Sequence, residues 1–75
     1  MIQNPEVVVD ARGMRCPWPA LRLARAMRQA VTATLISDDP QAKAEVATLA
    51  QEHGWTIATD CSDAGDARIT ATRPA

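Results

Sequence analysis

The chain has 75 residues, of which 47% are apolar and only 3% aromatic, and its net charge is −1. This length and composition fit one small domain with an aliphatic core and exclude a deep, enclosed active site. The near-neutral charge lacks the basic excess typical of nucleic-acid binders, and the longest apolar run, residues 7–9, is far too short to cross a membrane. No basic segment followed by an apolar stretch opens the chain, so we expect a cytoplasmic protein.

Cysteine content and charge distribution narrow the function classes further. Two cysteines, Cys16 and Cys61, are too few for a disulfide framework and, with a single histidine, too few for a zinc site. Residues 1–30 contain five arginines against two acids, a net charge of +3, whereas residues 31–75 have a net charge of −4. The basic part is either a solvated helix surface or a docking surface for an acidic partner.

The first half of the chain indicates a strand, a helix and a second strand. Residues 6–10 are a β-branched run that stops at a glycine turn, as strands do. Residues 17–29 show an apolar stripe at helical spacing with arginines on the opposite side, and residues 31–37 alternate with the period of a strand. The helical stripe consists of Ala20, Leu23, Ala24 and Met27, and the opposite side of Arg22, Arg25 and Arg28.

The second half predicts a helix and two strands. Asp39 and Pro40 are typical of an N-cap and a first helical position, and Gly54 is typical of a helix C-terminus. Residues 55–59 and 67–72 read as strands, joined by a polar loop over residues 60–66 that contains Cys61. In the last strand, Ile69 and Ala71 are expected to face inward.

The order β-α-β-α-β-β predicts a two-layer α/β (α+β) sandwich, with a four-stranded mixed sheet and two helices on one face. Right-handed crossovers make the first three strands parallel, and the short last connection makes the fourth antiparallel to the third. The other sheet face is left mostly to water. We expect the whole chain, residues 1–75, to form a single domain of this kind.

Cys16 stands at the turn before the first helix. Pro17 suits the first helical position and Pro19 the first turn, which makes Cys16 the predicted N-cap. The helix dipole and the nearby Arg12 and Arg15 should then stabilise the thiolate and lower the pKa of the thiol. No general base is needed for a sulfur that is already ionised. The alternative is a buried cysteine with a purely structural role. A residue that served only as an N-cap would normally be Ser, Thr, Asp or Asn, which accept the capping bond better than sulfur does, so cysteine at this position favours a reactive role.

Five other polar or aromatic residues are candidates for a structural or a functional role. Asp10 can hydrogen-bond the turn before Cys16 as a scaffold, or take part in proton transfer; Asp38 is expected to be free for a partner. Trp18 either packs on the helix flank or anchors a partner. Cys61 is either inert or a resolving thiol for Cys16, and His53 is expected to pack or cap rather than pair with Cys16.

The motif Asp10-x-x-Gly13-x-x-Cys16-Pro17-x-Pro19 resembles the signature of the TusA (SirA-like) family of small sulfur carriers. The acidic pair before the second helix, the element order and the length are similar to that family as well, so the resemblance covers essentially the whole chain. It implies that Cys16 accepts sulfane sulfur as a persulfide from a cysteine desulfurase or another sulfurtransferase and passes it to an acceptor protein. Family uses include tRNA thiolation, molybdenum-cofactor supply and sulfur oxidation.

The leading hypothesis is therefore that the protein is a sulfurtransferase that acts as a persulfide carrier, with Cys16 as the only essential nucleophile. We expect a monomer with no metal or organic cofactor, no membrane association and no direct nucleic-acid binding. The expected docking residues are Arg12, Arg15, Trp18, Arg22, Arg25 and Asp38. The main alternative is a non-catalytic binding or regulatory module on the same fold, contacting RNA or protein. A thiol–disulfide protein using Cys61 is disfavoured because the usual Cys-x-x-Cys spacing is missing.

Overall fold

The computed structural model describes residues 6–61 and 65–74. The predicted order of two helices and four strands is confirmed. The elements are β1 (Glu6–Asp10), α1 (Trp18–Ala26), β2 (Thr32–Ser37), α2 (Ala42–His53), β3 (Thr56–Cys61) and β4 (Ala67–Thr72). With 9 and 12 residues, neither helix in these ranges is long and apolar enough to cross a membrane.

The four strands form one mixed sheet in the order β1-β2-β4-β3. β1 pairs in parallel with β2, and β4 lies antiparallel between β2 and β3. β1, β2 and β3 therefore run in the same direction, as predicted. Because their carboxyl ends share one edge of the sheet, the segments that enter α1 and α2 both begin at that edge.

The core lies between the helices and one face of the sheet. Leu23 and Met27 of α1 and Val46 of α2 pack there against Leu35 and Ile69 of the sheet, and all five are almost completely buried. The arginines on the opposite side of α1 are exposed, which confirms the predicted phase of this helix. This aliphatic core is the one that the composition implies. Full burial of each large apolar side chain in it stabilises the fold by about 1.5–3 kcal/mol.

The other face of the sheet is not covered by either helix. Val8 at the centre of β1 is 62% exposed on it. Thr34 and Thr70, which face each other across β2 and β4, share a hydrogen bond of 3.0 Å between their Oγ1 atoms. This polar, partly wet face agrees with the prediction drawn from the threonine-rich strands.

The helix starts differ from the predicted ones. α1 begins at Trp18, and Pro17 takes the N-cap position without a side-chain capping bond, so the prediction that Cys16 is the N-cap is wrong. α2 begins at Ala42 with Gln41 as its N-cap, two residues later than predicted. Asp39 instead closes the turn ahead of α2, because its backbone oxygen accepts the Ala42 N–H at 3.1 Å.

The third strand is also displaced from its predicted position. It extends to Cys61, which pairs with Ala67 of β4, so this cysteine ends a strand rather than lying within a loop. Its backbone N–H donates to Asp60 Oδ1 at 2.8 Å. Residues 62–64 of the predicted polar loop lie outside the described residues.

Candidate active site around Cys16

Two loops lie side by side at the carboxyl edge of the parallel strands. The first loop, residues 11–17, follows β1 and contains Cys16; the second loop, residues 38–41, follows β2. Because β1 and β2 are neighbours, the strand ladder continues into the first loop through the Ala11 N–H, which donates to the Ile36 oxygen at 2.8 Å. Each loop therefore presents its polar groups to the other.

Asp38 of the second loop binds the turn at Gly13. Its two carboxylate oxygens lie 3.0 and 3.1 Å from the Gly13 nitrogen and accept its N–H. Gly13 has φ +83°, a left-handed conformation that side chains disfavour, which explains why glycine stands there. Asp38 is exposed, yet it is engaged within the protein; the expectation of a free carboxylate for a partner is corrected accordingly.

Asp39 fixes the backbone of Cys16 itself. Its Oδ2 accepts the Cys16 N–H at 2.6 Å and its Oδ1 accepts the Gln41 N–H at 3.1 Å. The Asp39 N–H in turn donates to the buried Ser37 Oγ at 3.0 Å. Asp39 is 8% exposed, so these bonds satisfy a carboxylate that would otherwise be costly to bury.

The Cys16 sulfur points to the second helix rather than into the start of the first. Cys16 is partly buried, and its Sγ donates a hydrogen bond to Oε1 of Glu45 in the first turn of α2. This bond is the largest cause that raises the pKa of the Cys16 thiol above its ordinary value; burial and the charges of Glu45 and Asp39 act in the same direction. The predicted lowering of this pKa is therefore wrong.

Arg12, which was expected to help stabilise the Cys16 thiolate, is instead paired with Asp10 and is not among the causes of the Cys16 pKa shift. Its Nη2 lies 2.8 Å from Asp10 Oδ2 and its Nε donates to Asp10 Oδ1 at 3.0 Å. The Arg12 backbone N–H also donates to Asp10 Oδ1 at 3.1 Å. These bonds lower the pKa of Asp10 to about 2 and place its carboxylate on the turn, as a scaffold residue would be. Arg12 Nη1 also lies 3.9 Å from Asp66 Oδ2.

The start of α1 is closed by backbone groups instead of sulfur. The Trp18 N–H donates to the Arg15 oxygen at 2.9 Å, and the Leu21 N–H donates to the Pro17 oxygen at 3.1 Å. Pro19, the second residue of the helix, is buried. A thiol is not needed as a cap here, which leaves the sulfur available to Glu45.

An exposed apolar and basic surface lies beside this loop on α1. Trp18 and Leu21 are 60% and 49% exposed, and with Arg22 and Arg25 they line an open groove between α1 and β1. Arg22 Nη1 also lies 3.7 Å from Met14 Sδ in the first loop. Three expected docking residues, Trp18, Arg22 and Arg25, are thus brought together, whereas Arg12 is drawn to Asp10; Arg15 is exposed.

The remaining candidates lie away from Cys16. Cys61 is exposed at the end of β3, the strand farthest from β1 in the sheet. His53 ends α2, and its ring stacks on Trp55 with centroids 4.9 Å apart. Glu45 lies in the first turn of the same helix, so His53 lies about 12 Å farther along it at 1.5 Å per residue. Within the described ranges no group of His, Cys, Asp and Glu side chains is suited to hold a metal ion.

Glu45, which contacts the Cys16 sulfur, is the site residue that the sequence interpretation missed. The predicted topology already pointed to this region, because both helices begin at the edge of the sheet where Cys16 lies. An acid in the first turn of the second helix could therefore have been placed near the sulfur. Only the contact across 29 positions of the chain reveals it directly.

Comparison with known proteins agrees with this architecture. A family model described as "Sulfurtransferase TusA" matches residues 7–73. Among solved structures, a SirA-like protein from Desulfitobacterium hafniense superposes with a TM-score of 0.81 at 21% sequence identity. The match covers 88% of this chain and 95% of that one. At this identity the solved structure shows the shared fold, while the family model extends over nearly every described residue.

Proposed function

The chain belongs to the TusA sulfurtransferase family, and from that premise we propose that it carries sulfane sulfur as a persulfide on Cys16. The family works in sulfur relay with donor and acceptor proteins. The observation that carries the proposal is the place of Cys16: its backbone is fixed by Asp39, and the residue is only partly buried in the loop at the carboxyl edge of the sheet. A sulfur held in this way is positioned to meet another protein.

The transfer step is a thiol exchange in which the Cys16 thiol first loses its proton to solvent. The thiolate attacks the outer sulfur of the donor persulfide, so a new S–S bond forms at Sγ while the S–S bond of the donor breaks. The donor leaves as a thiolate and takes up a proton. Cys16 is oxidised to the persulfide and the donor is reduced to its thiol, so no external oxidant is required.

The donor in this proposal is a cysteine desulfurase or another sulfurtransferase, and the acceptor is a second protein. Depending on that acceptor, the relay supplies tRNA thiolation, molybdenum-cofactor synthesis or sulfur oxidation. In this proposal the protein acts in the cytoplasm together with these partners. The reaction is a sulfurtransferase activity that the carrier performs only together with its partners.

The surface that meets these partners is proposed to be the α1 face formed by Trp18, Arg22 and Arg25. Exposed tryptophan and arginine are enriched at binding hot spots, and this face adjoins the loop that carries Cys16. Its arginines have no acidic partner among the ion pairs of the described residues, so their charge is available to an acidic protein surface. Arg15, also exposed, extends the same basic edge.

The test is sulfur loading followed by whole-protein mass spectrometry. Incubation with a cysteine desulfurase and cysteine should add one reducible sulfur atom to the wild-type protein and to Cys61→Ser. The Cys16→Ser variant should gain none. Equal loading of Cys16→Ser and wild type would refute the proposed carrier function.

A further inference from the structure

We propose that Glu45 controls this transfer by direct contact with the reacting atom: its carboxylate holds the Cys16 sulfur as a thiol and so sets how fast that sulfur attacks a donor persulfide. This role rests on the proposed function and deepens it. Glu45 lies outside the motif that marks Cys16 and is supplied by the second helix. It touches the reacting sulfur directly.

The contact is built by two elements that hold Cys16 from different sides. Asp39 accepts the Cys16 N–H at 2.6 Å and so fixes the backbone, while Glu45 Oε1 accepts the hydrogen of Sγ. Glu45 is itself anchored in the first turn of α2, where its N–H donates to the Gln41 oxygen at 3.1 Å. A partly buried carboxylate on a helix end is a defined partner for the sulfur rather than a passing surface charge.

The other charged groups around this contact do not offset Glu45. In the first loop, Arg12 is paired with Asp10, and Arg15 is exposed. In the second loop Asp39 adds a negative charge toward Cys16, and both acids raise the pKa of the thiol. The other charged or titratable side chains of the second loop and the two helices are not among the causes of the Cys16 shift. They are Asp38, which binds Gly13, Lys43, Glu52 and His53 on α2, and Arg22 and Arg25 on α1.

This arrangement affects both directions of sulfur transfer. A thiolate beside Glu45 is disfavoured by repulsion between like charges, so loss of the proton limits the attack near neutral pH. Once sulfur is loaded, Sγ carries no hydrogen, and the bond to Glu45 is lost. Glu45 therefore stabilises the unloaded carrier relative to the loaded one, which favours passing the sulfur on.

The first test measures the thiol itself and needs no sulfur donor. In a Cys61→Ser background, the pH dependence of iodoacetamide alkylation should show that Glu45→Gln lowers the pKa of Cys16, because the acceptor of the S–H bond loses its negative charge. Alkylation near pH 7 should then be faster by up to roughly tenfold. Glu52→Gln, the same change on an exposed position of the same helix, should behave like wild type.

Glu45→Asp separates the hydrogen bond from the charge and also protects the test against misfolding. It keeps the negative charge but shortens the side chain, so the pKa of Cys16 should fall between the values of wild type and Glu45→Gln. Thermal unfolding checks that each variant is folded. If Glu45→Gln does not fold, alkylation of Glu45→Asp at the wild-type rate overturns the role of Glu45, and faster alkylation supports it.

The second test measures sulfur uptake from a desulfurase across pH, with mass spectrometry as the readout. The rate profile of Glu45→Gln should move to lower pH by the same interval as its alkylation profile, while Glu52→Gln should follow wild type. If wild type loads sulfur but the Glu45→Gln profile coincides with it, the role of Glu45 is refuted and the carrier function stands. If wild type loads no sulfur on Cys16, the carrier function fails, and the role of Glu45 in transfer fails with it, whatever alkylation shows.

Discussion

The two loops at the carboxyl edge of the sheet differ in what they contribute. The first loop supplies backbone N–H groups and the Cys16 thiol as hydrogen-bond donors, and the second loop and the start of α2 supply the carboxylates that accept these bonds. The contacts join residues 23 to 29 positions apart. The pKa of the Cys16 thiol is therefore raised by burial and by acids far away in the sequence, and the arginines next to it are not among the causes of this shift.

Within the second loop the two neighbouring aspartates also differ. Asp39 is buried and binds the backbone on both sides, at Cys16 and Gln41, whereas Asp38 is exposed and binds only Gly13. Burial strengthens a carboxylate's hydrogen bonds and increases the cost of leaving its partners unsatisfied. The two positions should therefore respond differently to the same substitution.

The largest expected effect is the loss of stability in Asp39→Ala. This change leaves the Cys16 and Gln41 N–H groups without their acceptor, so the free energy of unfolding should fall by about 1–3 kcal/mol in urea titration. Asp38→Ala is the matched control and should cost about 0.5–1.5 kcal/mol, because water can replace an exposed acceptor. A greater loss in Asp38→Ala than in Asp39→Ala would contradict the assigned difference between the two aspartates.

A smaller effect is expected at the glycine that the second loop binds. Gly13→Ala places a side chain at φ +83°, which should reduce stability by about 1–2 kcal/mol, although the space around it is open. Gly65→Ala, at φ +87° and equally open, should cost a similar amount. Only Gly13→Ala should also change the rate of Cys16 alkylation. If Cys16 is alkylated at the same rate in both variants, the turn at Gly13 does not affect the reactivity of the Cys16 sulfur.

Reversing the charge of the α1 face should affect transfer more than stability. Arg22→Glu combined with Arg25→Glu should change the free energy of unfolding by less than about 0.5 kcal/mol per site while slowing sulfur transfer, most clearly at low salt. Arg28→Glu with Arg73→Glu is the matched control, since these exposed arginines line a groove near His53, the opposite end of α2 from Glu45. If both double variants slow transfer equally, net charge alone accounts for the effect.

The smallest effect on stability is expected from the exposed pair of Asp10 and Arg12. The pKa of Asp10 is lowered from 3.8 to about 2, so the pair stabilises the fold above about pH 3.8, and this contribution disappears as pH falls through about 2. Carboxyl-carbon NMR should give a midpoint near 2 in wild type. In Arg12→Gln the midpoint should return toward the ordinary value; an unchanged midpoint would show that Arg12 is not the cause.

Periodicity predicted the elements because burial follows it directly. The stripe of α1 with Leu23 and Met27, and the inward Ile69 and Ala71 of β4, are buried as expected. The direction of the first three strands also followed from the crossovers. The periodicity of burial and the direction of the strands depend on the order of residues and elements along the chain, and this order can be read directly from the sequence.

The environment of Cys16 could not be read in the same way. The N-cap prediction depended on Pro17 starting the helix, but Trp18 starts it, and the Arg15 oxygen accepts the Trp18 N–H. The pKa prediction counted Arg12 by its closeness in sequence, although Asp10 binds it. The local sequence shows which charged residues are close to Cys16 along the chain. The way the two loops lie against each other determines which charged residues contact the sulfur in space.

The most direct test of the central claim locates the transferred sulfur in the wild-type protein. Trypsin cleaves after Arg15 and Arg22, so Cys16 is released in a peptide separate from the one that carries Cys61. After loading by a cysteine desulfurase and trapping with iodoacetamide, tandem mass spectrometry should find the added sulfur on the peptide of residues 16–22. Sulfur on the peptide of residues 44–68 instead, or on neither, would contradict the assignment of Cys16 as the carrier.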